Sequence, residues 1–369
     1  MTMTRSLSRI ATGLMVYCLL AFLAVTVARR PAQAEPTIRL RLGDQRLEGY
    51  AAAWSNERVL LLGRDGRLWD FPPRSAQDFS KVTDHFRSLP QSAVRGQLQR
   101  EFGEQYEVSG TGHYLVVHPA GEKDLWAERF EKLYREFHHY FTARGMRPQP
   151  PQFPLVAIVC HDRTHFVRFA AQEGINIRGG TLGYYSPISN RVLLYDTTAG
   201  RPNADWTLNA ETIIHEATHQ TAFNTGVHTR LAAQPKWVAE GLATMFEAPG
   251  VWNSSAHRQL DDRINRYRLE RFREYVATRR RAGSLEQFIS SDRMFQYDAD
   301  AAYAQAWALS FYLAEREPRK YMQLLQKLAQ REPMSDYPGV RRLQDFRRIF
   351  GDDVPMLEVR MLRFIESLK

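Results

Sequence analysis

The sequence is poor in cysteine and contains no low-complexity block. Only Cys18 and Cys160 occur among 369 residues, so a disulfide framework and a cysteine-ligated zinc ribbon are both excluded. With 44% hydrophobic and 25% charged residues, 22 glycines and 18 prolines, the composition also excludes collagen, a disordered chain and a multi-span membrane protein. What remains is a globular protein, long enough for two domains or for one large domain with an appendage.

The positive charge is modest and argues against a polyanionic partner. The formal net charge is +9, and four arginines with no acidic residue precede Ala34. Nine arginines occur within residues 258–281, but acidic residues interrupt them at helical spacing, as in the predicted pairs Asp262–Arg266 and Arg266–Glu270. We expect a solvated helix and no nucleic-acid partner; contact with an anionic membrane or nucleic acid is the alternative.

The first 34 residues have the organisation of an export signal. Arg5 and Arg9 precede an uncharged apolar run over residues 10–28, and a small-residue Ala-x-Ala tripeptide follows at residues 32–34. This order is typical of a signal peptide that is cleaved after residue 34. The run is also long enough to cross a bilayer, so a membrane anchor over residues 10–28 is the alternative. In either case we expect an exported protein, which is secreted, periplasmic or anchored in the membrane.

Hydrophobic periodicity divides the rest of the chain into three parts. Residues 37–70 alternate apolar and polar side chains between turn signals, which predicts a small antiparallel β module within residues 35–75. A polar helical connector is predicted over residues 76–109. Residues 110–369 begin with strand and helix patterns and continue, beyond residue 206, almost entirely with helical periodicity. A mixed sheet followed by a run of helices predicts an α+β catalytic unit.

The most informative stretch is a pentapeptide on a predicted helix. His215 and His219 are four residues apart, so they lie one above the other on the same helix face. Two imidazoles placed in this way can each direct one nitrogen at a shared Zn²⁺, whereas Glu216, about 100° round the helix, addresses a water at the metal. Zinc lowers the pKa of that water towards about 7, and the carboxylate then removes its proton during attack on a carbonyl.

A third ligand is predicted in the next helical segment. Glu240 follows His219 after a gap that is long enough for the chain to turn and bring a second helix back. The His-x-x-Gly-x-x-His continuation of metzincins is absent, since Ala222 and Thr225 occupy its glycine and histidine positions and His228 is out of register. The predicted ligand set is therefore two histidines and one glutamate.

These motifs resemble those of the gluzincin zinc metallopeptidases, in particular the bacterial peptidase MA-like domains of the aminopeptidase-like clan. The run His-Glu-Ala-Thr-His-Gln, followed by Asn224, is similar to the first motif helix of that clan, and Trp-x-x-Glu-Gly from Trp237 is similar to the second. The resemblance covers residues 110–369 and implies a thermolysin-like fold with Zn²⁺ as cofactor. It also implies that Glu247 and Asn224 support the ligands, with Glu247 bonded to a ligating histidine.

A third motif and one departure from the family bear on the reaction. Tyr303 opens a run that is similar to the helix whose leading tyrosine donates to the oxyanion in these enzymes, so the resemblance implies this role for Tyr303. Aminopeptidases of the clan bind the free amino terminus with a glutamate on an upstream strand, but residues 180–186 contain no acid. We therefore expect cleavage of internal peptide bonds. Tyr184 or Tyr185 is the alternative oxyanion donor.

Taken together, the sequence predicts an exported zinc metallopeptidase that acts on a peptide or protein, although it does not exclude another amide as substrate. The alternative is a catalytically silent metallopeptidase fold that binds partners through the β module or the arginine-rich helix. A third interpretation is a precursor whose cleft is blocked by residues 35–109. His161 and His165 share helical spacing, but surface or capping roles are expected for them rather than a second metal site.

Overall fold

The computed structural model describes residues 35–121, 126–177, 179–199, 201, 205 and 207–369. The predicted export signal or anchor over residues 1–34 lies outside them. Within the described residues the chain is an α+β protein with two five-stranded sheets and thirteen α-helices. None of these helices combines the length and the apolar character that crossing a membrane requires.

The first sheet is an antiparallel meander with one added strand. Gly43, in the two-residue turn between its first two strands, has a φ angle of +58°, a conformation that glycine adopts without strain. The spatial order of the strands is β4-β3-β2-β1-β5, and each neighbouring pair is antiparallel. The strands are β1 (Thr37–Leu42), β2 (Gln45–Trp54), β3 (Val59–Gly63), β4 (Leu68–Phe71) and β5 (Ala76–Thr83).

Strand β5 corrects the predicted helical connector over residues 76–109. It pairs with β1 along the far edge of the first sheet, with Ser80 opposite Arg39. Almost all of its side chains are exposed, so it lacks the apolar alternation by which a strand is distinguished in a sequence. A helix occupies only the later part of the predicted connector, as α1 (Gln91–Phe102).

The second sheet is mixed, and its edge strand faces the helical part of the molecule. Its spatial order is β6-β7-β8-β10-β9, with β8 parallel to both β7 and β10 and the other pairs antiparallel. The central strands β7 and β8 are buried throughout, as expected of strands covered on both faces. The strands are β6 (Tyr106–Gly110), β7 (Tyr114–Pro119), β8 (Leu155–Cys160), β9 (Gly183–Ser186) and β10 (Arg191–Tyr195).

Helices cover this sheet and form most of the second half of the chain. Two of them lie between strands of the second sheet, α2 (Ala127–Ala143) and α3 (Arg163–Gln172). The others follow the sheet and are α4 (Thr207–Asn224), α5 (Lys236–Phe246), α6 (Pro249–Trp252), α7 (Arg266–Thr278), α8 (Ser284–Ser290), α9 (Met294–Tyr297), α10 (Ala299–Arg316), α11 (Pro318–Ala329), α12 (Gly339–Phe350) and α13 (Val354–Glu366).

Helix α10 lies at the centre of the helical part and packs closely against α5. Its residues from Ala304 to Ala314 are all buried, as in a helix surrounded by protein on every side. Gly241 permits the contact, because a Cβ at this position would lie 2.5 Å from the carbonyl oxygen of Ala306 and would also collide with the side chain of Ser310. The two helix backbones therefore approach each other next to residue 240.

The first sheet is joined to the rest of the molecule near the hairpin of β9 and β10. The N–H of Leu68 donates to the carbonyl of Ile188 at 2.8 Å, in the turn that follows β9. The guanidinium of Arg230, from the segment between α4 and α5, donates to the carbonyls of Pro187 at 2.7 Å and Gly66 at 2.8 Å. One side chain thus connects the first sheet, this turn and the segment between the two motif helices.

Candidate metal centre

Two histidines and a glutamate bring three ligand-type atoms together between α4 and α5. The Nε2 atoms of His215 and His219 lie 3.2 Å apart, and Oε2 of Glu240 lies 3.3 Å from each of them. Tetrahedral coordination with bonds of about 2.0–2.1 Å would separate zinc ligands by about 3.3 Å. The spacing and the chemistry of these donors therefore fit Zn²⁺ with one position open. No other cluster of this kind occurs within the described residues.

The environment of Glu240 favours the ionised carboxylate that a metal requires. The side chain is largely buried, and burial alone opposes ionisation. The neighbouring imidazoles of His219 and His215 outweigh this effect, so the pKa of Glu240 falls below its ordinary value. Gly241, the next residue, keeps α5 against α10 and so fixes the helix from which this carboxylate projects.

Glu247 orients the first of the two histidines. Its Oε1 lies 2.7 Å from Nδ1 of His215. Because a carboxylate only accepts, Nδ1 carries the proton and Nε2 presents its lone pair towards the cluster. The other oxygen of Glu247 accepts a 2.6 Å hydrogen bond from the amide of Asn265, which also donates to the carbonyl of Thr244. The contact implied by the family resemblance for Glu247 is therefore present.

Glu216 lies between the histidine pair and the edge strand β9. Its Oε2 accepts a 2.7 Å hydrogen bond from the backbone N–H of Tyr185. Burial raises the pKa of Glu216, and the carboxylate of Glu240 adds to this effect, whereas the two imidazoles act in the opposite direction. A buried carboxyl group with a raised pKa, beside a metal-type cluster, is suited to accept and return a proton.

Tyr303 is the phenol that the structure places beside the cluster. Its ring centroid is 6.4 Å from that of His215, and Phe295 packs edge-on against it at 5.4 Å. Burial and the nearby carboxylates raise the pKa of Tyr303, so its hydroxyl keeps the proton that a donor needs. The alternative donors have other partners, since the hydroxyl of Tyr184 donates to Glu173 and that of Tyr185 donates to Asn190.

Asn224 is not brought to the ligands, which corrects the role expected for it. It lies five residues after His219, about 140° further round the helix. Its amide exchanges hydrogen bonds of 2.7 and 2.9 Å with the amide of Asn190 and also donates to the carbonyl of Gln220. Since Asn190 accepts from Tyr185 as well, Asn224 ties the end of α4 to the β9–β10 hairpin instead.

The histidines at 161 and 165 lie on either side of the residue that caps α3. Asp162 precedes α3, and its Oδ1 accepts from the backbone N–H of His165 at 2.9 Å. The same oxygen lies 2.9 Å from Nδ1 of His165. Asp162 therefore starts the helix, and the His165 side chain contacts it.

The arginine-rich segment pairs differently from the prediction. Arg266 contacts the carbonyl of Lys369 rather than Asp262 or Glu270. Several other arginines of the segment reach acids on different elements, in the pairs Arg263–Glu315, Arg268–Asp300, Arg279–Asp298 and Arg280–Glu358. The segment thus links helices together as well as facing solvent.

Two residues near the cluster were missed from the sequence. Asn265 has the signature of a helix N-cap, because it directly precedes α7 and its side chain accepts from the N–H of Arg268. That signature predicts the cap, whereas the bond to Glu247 depends on how α7 packs against α5. Arg268 lies over the ring of Tyr303, and no motif in the sequence indicates this contact.

Comparisons with known proteins find one family model that matches the motif segment and a partial structural likeness to solved enzymes. A family model described as a protein of unknown function (DUF1570) matches residues 209–335. A mutant M1 zinc metallopeptidase from Deinococcus radiodurans shares 12% identity at a TM-score of 0.41, over 71% of this chain and 50% of its own. The unmutated enzyme shares 14% identity at a TM-score of 0.40, over 70% and 48% respectively. The chain thus spans about half the length of these metallopeptidases, and no curated protein sequence matches it.

Proposed function

We propose that this chain is an exported zinc-dependent peptidase that cleaves internal bonds of a peptide or protein substrate. The main support is the spacing of Nε2 of His215, Nε2 of His219 and Oε2 of Glu240, which lie 3.2–3.3 Å apart. A shared cation would satisfy the lone pairs of three groups that converge in this way.

The chemistry divides between the metal and the side chains around it. When bound, Zn²⁺ would supply a Lewis acid that acidifies water and polarises the scissile carbonyl. Glu216 would act as general base towards the attacking water and then return the proton to the leaving amine. The hydrogen bond from the N–H of Tyr185 orients the Glu216 carboxylate for this transfer.

Tyr303 and β9 complete the proposed reaction. The protonated phenol of Tyr303 would donate to the oxyanion that forms as the carbonyl is attacked. Because β9 is an edge strand, an extended peptide would pair with its outward backbone groups other than the N–H of Tyr185, which bonds Glu216. Alternate residues of a strand point their backbone groups to the same side, so Gly183 shares the outward edge with the N–H of Tyr185.

The decisive experiment compares the chain from residue 35 onwards with its Glu216→Gln variant. We expect the wild type to carry one zinc per chain and to cleave members of a random peptide library. The variant should keep the zinc and lose hydrolysis by about 1000-fold or more, because it removes the proton acceptor and leaves the ligands. Glu128→Gln, which makes the same change at an exposed carboxylate of α2, serves as the control and should retain activity.

Three other results of these zinc and cleavage measurements would contradict the proposal in different ways. Activity that survives Glu216→Gln would refute the mechanism. Zinc binding without any cleavage by the wild type would favour the catalytically silent alternative. Failure of the wild type to bind zinc would overturn the proposal as a whole.

A further inference from the structure

The guanidinium group of Arg268 lies beside Tyr303, and the reaction proposed above gives it no role. The guanidinium carbon of Arg268 lies 5.2 Å from the ring centroid of Tyr303 and 5.1 Å from that of Tyr267. The side chain is only 17% exposed. Its Nε is buried and makes no hydrogen bond within the part of the chain that the structure describes. Packing on Tyr303, rather than a hydrogen bond, is thus its main contact towards the centre.

A chain of contacts fixes Arg268 relative to the metal-type cluster. The side chain of Asn265 accepts a 3.1 Å hydrogen bond from the backbone N–H of Arg268. The amide of the same Asn265 donates to Glu247, which bonds Nδ1 of His215. The start of α7 is therefore held by the group that orients a ligand, and Arg268 projects from that first turn onto Tyr303.

On the side away from Tyr303, the guanidinium of Arg268 lies near the carboxylate of Asp300. Its NH1 lies 3.6 Å from Oδ1 of Asp300, and the hydroxyl of Tyr267 donates to the same oxygen at 3.3 Å. At 3.6 Å this is an ion pair without a hydrogen bond, and Asp300 is 45% exposed to solvent. The guanidinium therefore lies between the ring of Tyr303 on one side and the carboxylate of Asp300 on the other.

We propose that Arg268 is a positioning residue for Tyr303: it packs on one face of the ring and places a positive charge beside the phenol that would donate to the oxyanion. This inference rests on the proposed function. A cation on the ring face draws electron density from the phenol and strengthens its hydrogen bond to an anion. An uncharged side chain without the planar guanidinium cannot make this contact, so its role can be tested by substitution.

The first test is a double-mutant cycle between Arg268→Met and Tyr303→Phe. In the wild-type background we expect Arg268→Met to lower kcat by about tenfold, with KM changed less than twofold and one zinc retained per chain. In the Tyr303→Phe background the same substitution should change kcat less than twofold. Arg266→Met, an exposed arginine on the same helix, is the matched control and should be neutral in both backgrounds.

The second test reads the position of the ring without metal or turnover. The protein is labelled with 3-fluorotyrosine, and the signal of residue 303 is identified by its absence in Tyr303→Phe. Arg268→Met should shift this fluorine resonance, because a cation on the ring face changes its shielding, whereas Arg266→Met should leave it in place.

The outcomes separate this inference from the proposed function. Equal losses of kcat in the two backgrounds, or an effect on KM alone, would overturn the positioning role. An unmoved fluorine signal would overturn it as well, even if the protein hydrolyses no peptide. Conversely, a shifted signal in a protein without activity would support the contact while the proposed function fails.

Discussion

The two sheets have the same number of strands, but their edges are used differently. In the first sheet the edge strand β5 exposes nearly all its side chains, and charged residues lie along it. In the second sheet the short edge strand β9 lies against α4, where the N–H of Tyr185 bonds Glu216. Gly183 allows this approach, since a Cβ there would lie 2.8 Å from the side chain of Thr212. A free sheet edge becomes part of a candidate site only where a buried helix brings chemical groups to it.

The largest expected effect tests whether metal binding depends on the helices beside the second sheet and not on the first sheet. Glu240→Ala removes the carboxylate ligand and should weaken zinc binding by about 1000-fold, more than the loss of an outer partner costs. Competition with a chelating dye measures the affinity. Glu48→Ala, in the first sheet, removes a carboxylate paired with Arg39 and should leave the zinc affinity unchanged. If both variants bound zinc equally weakly, metal binding would depend on the first sheet as well, and the contrast would be wrong.

A smaller effect is expected from the support of one ligand. Glu247→Gln keeps the size of the side chain but weakens the charge-assisted bond to Nδ1 of His215, so zinc affinity should fall about 10–100-fold. The same dye competition measures this change, with Glu101→Gln, which faces Arg191, as the matched control. An affinity within twofold of wild type would mean that the tautomer of His215 is held in another way.

The smallest effect concerns the junction between the two sheets. Arg230→Met removes hydrogen bonds to the carbonyls of Pro187 and Gly66 and should lower the free energy of unfolding by about 1–3 kcal/mol. Because Pro187 follows β9, kcat/KM should fall about two- to tenfold. The control is Arg58→Met, whose exposed ion pair with Asp70 lies wholly within the first sheet and should contribute less than about 1 kcal/mol.

Denaturant unfolding and peptide hydrolysis measure these two quantities. A loss of stability without a loss of activity would show that the first sheet supports the fold but not the edge strand. Unchanged values in Arg230→Met would mean that the two sheets act independently.

Local sequence patterns predicted the centre of the site better than its surroundings. The four-residue spacing of His215 and His219 determines their common helix face, and this geometry needs no knowledge of distant contacts. The gap after His219 indicated Glu240, and the family resemblance added Glu247 and Tyr303. All three lie at or beside the cluster. The metal, the reaction and export remain predictions.

Features that depend on packing between distant segments were not predictable from such patterns. Strand β5 has exposed side chains and is held by backbone pairing with β1, so no hydrophobic period marks it. Arg266 was assigned to partners four residues away, whereas it contacts the carbonyl of Lys369. Arg263 and Arg280, on either side of α7, reach acids 52 and 78 positions along the chain, at Glu315 and Glu358. Helical spacing describes one helix and cannot say which helix lies next to it.

The contact at Gly241 has a consequence for how the helical half of the molecule could be altered. Since the backbone of α5 rests on α10 beside Ala306 and Ser310, Glu240 and Tyr303 belong to elements whose relative register is locked. If α5 moves, α10 moves with it, so the distance between Glu240 and Tyr303 stays the same. Adaptation to a substrate of different shape would have to come from the surrounding connecting segments, while the distance between these two groups stays constant.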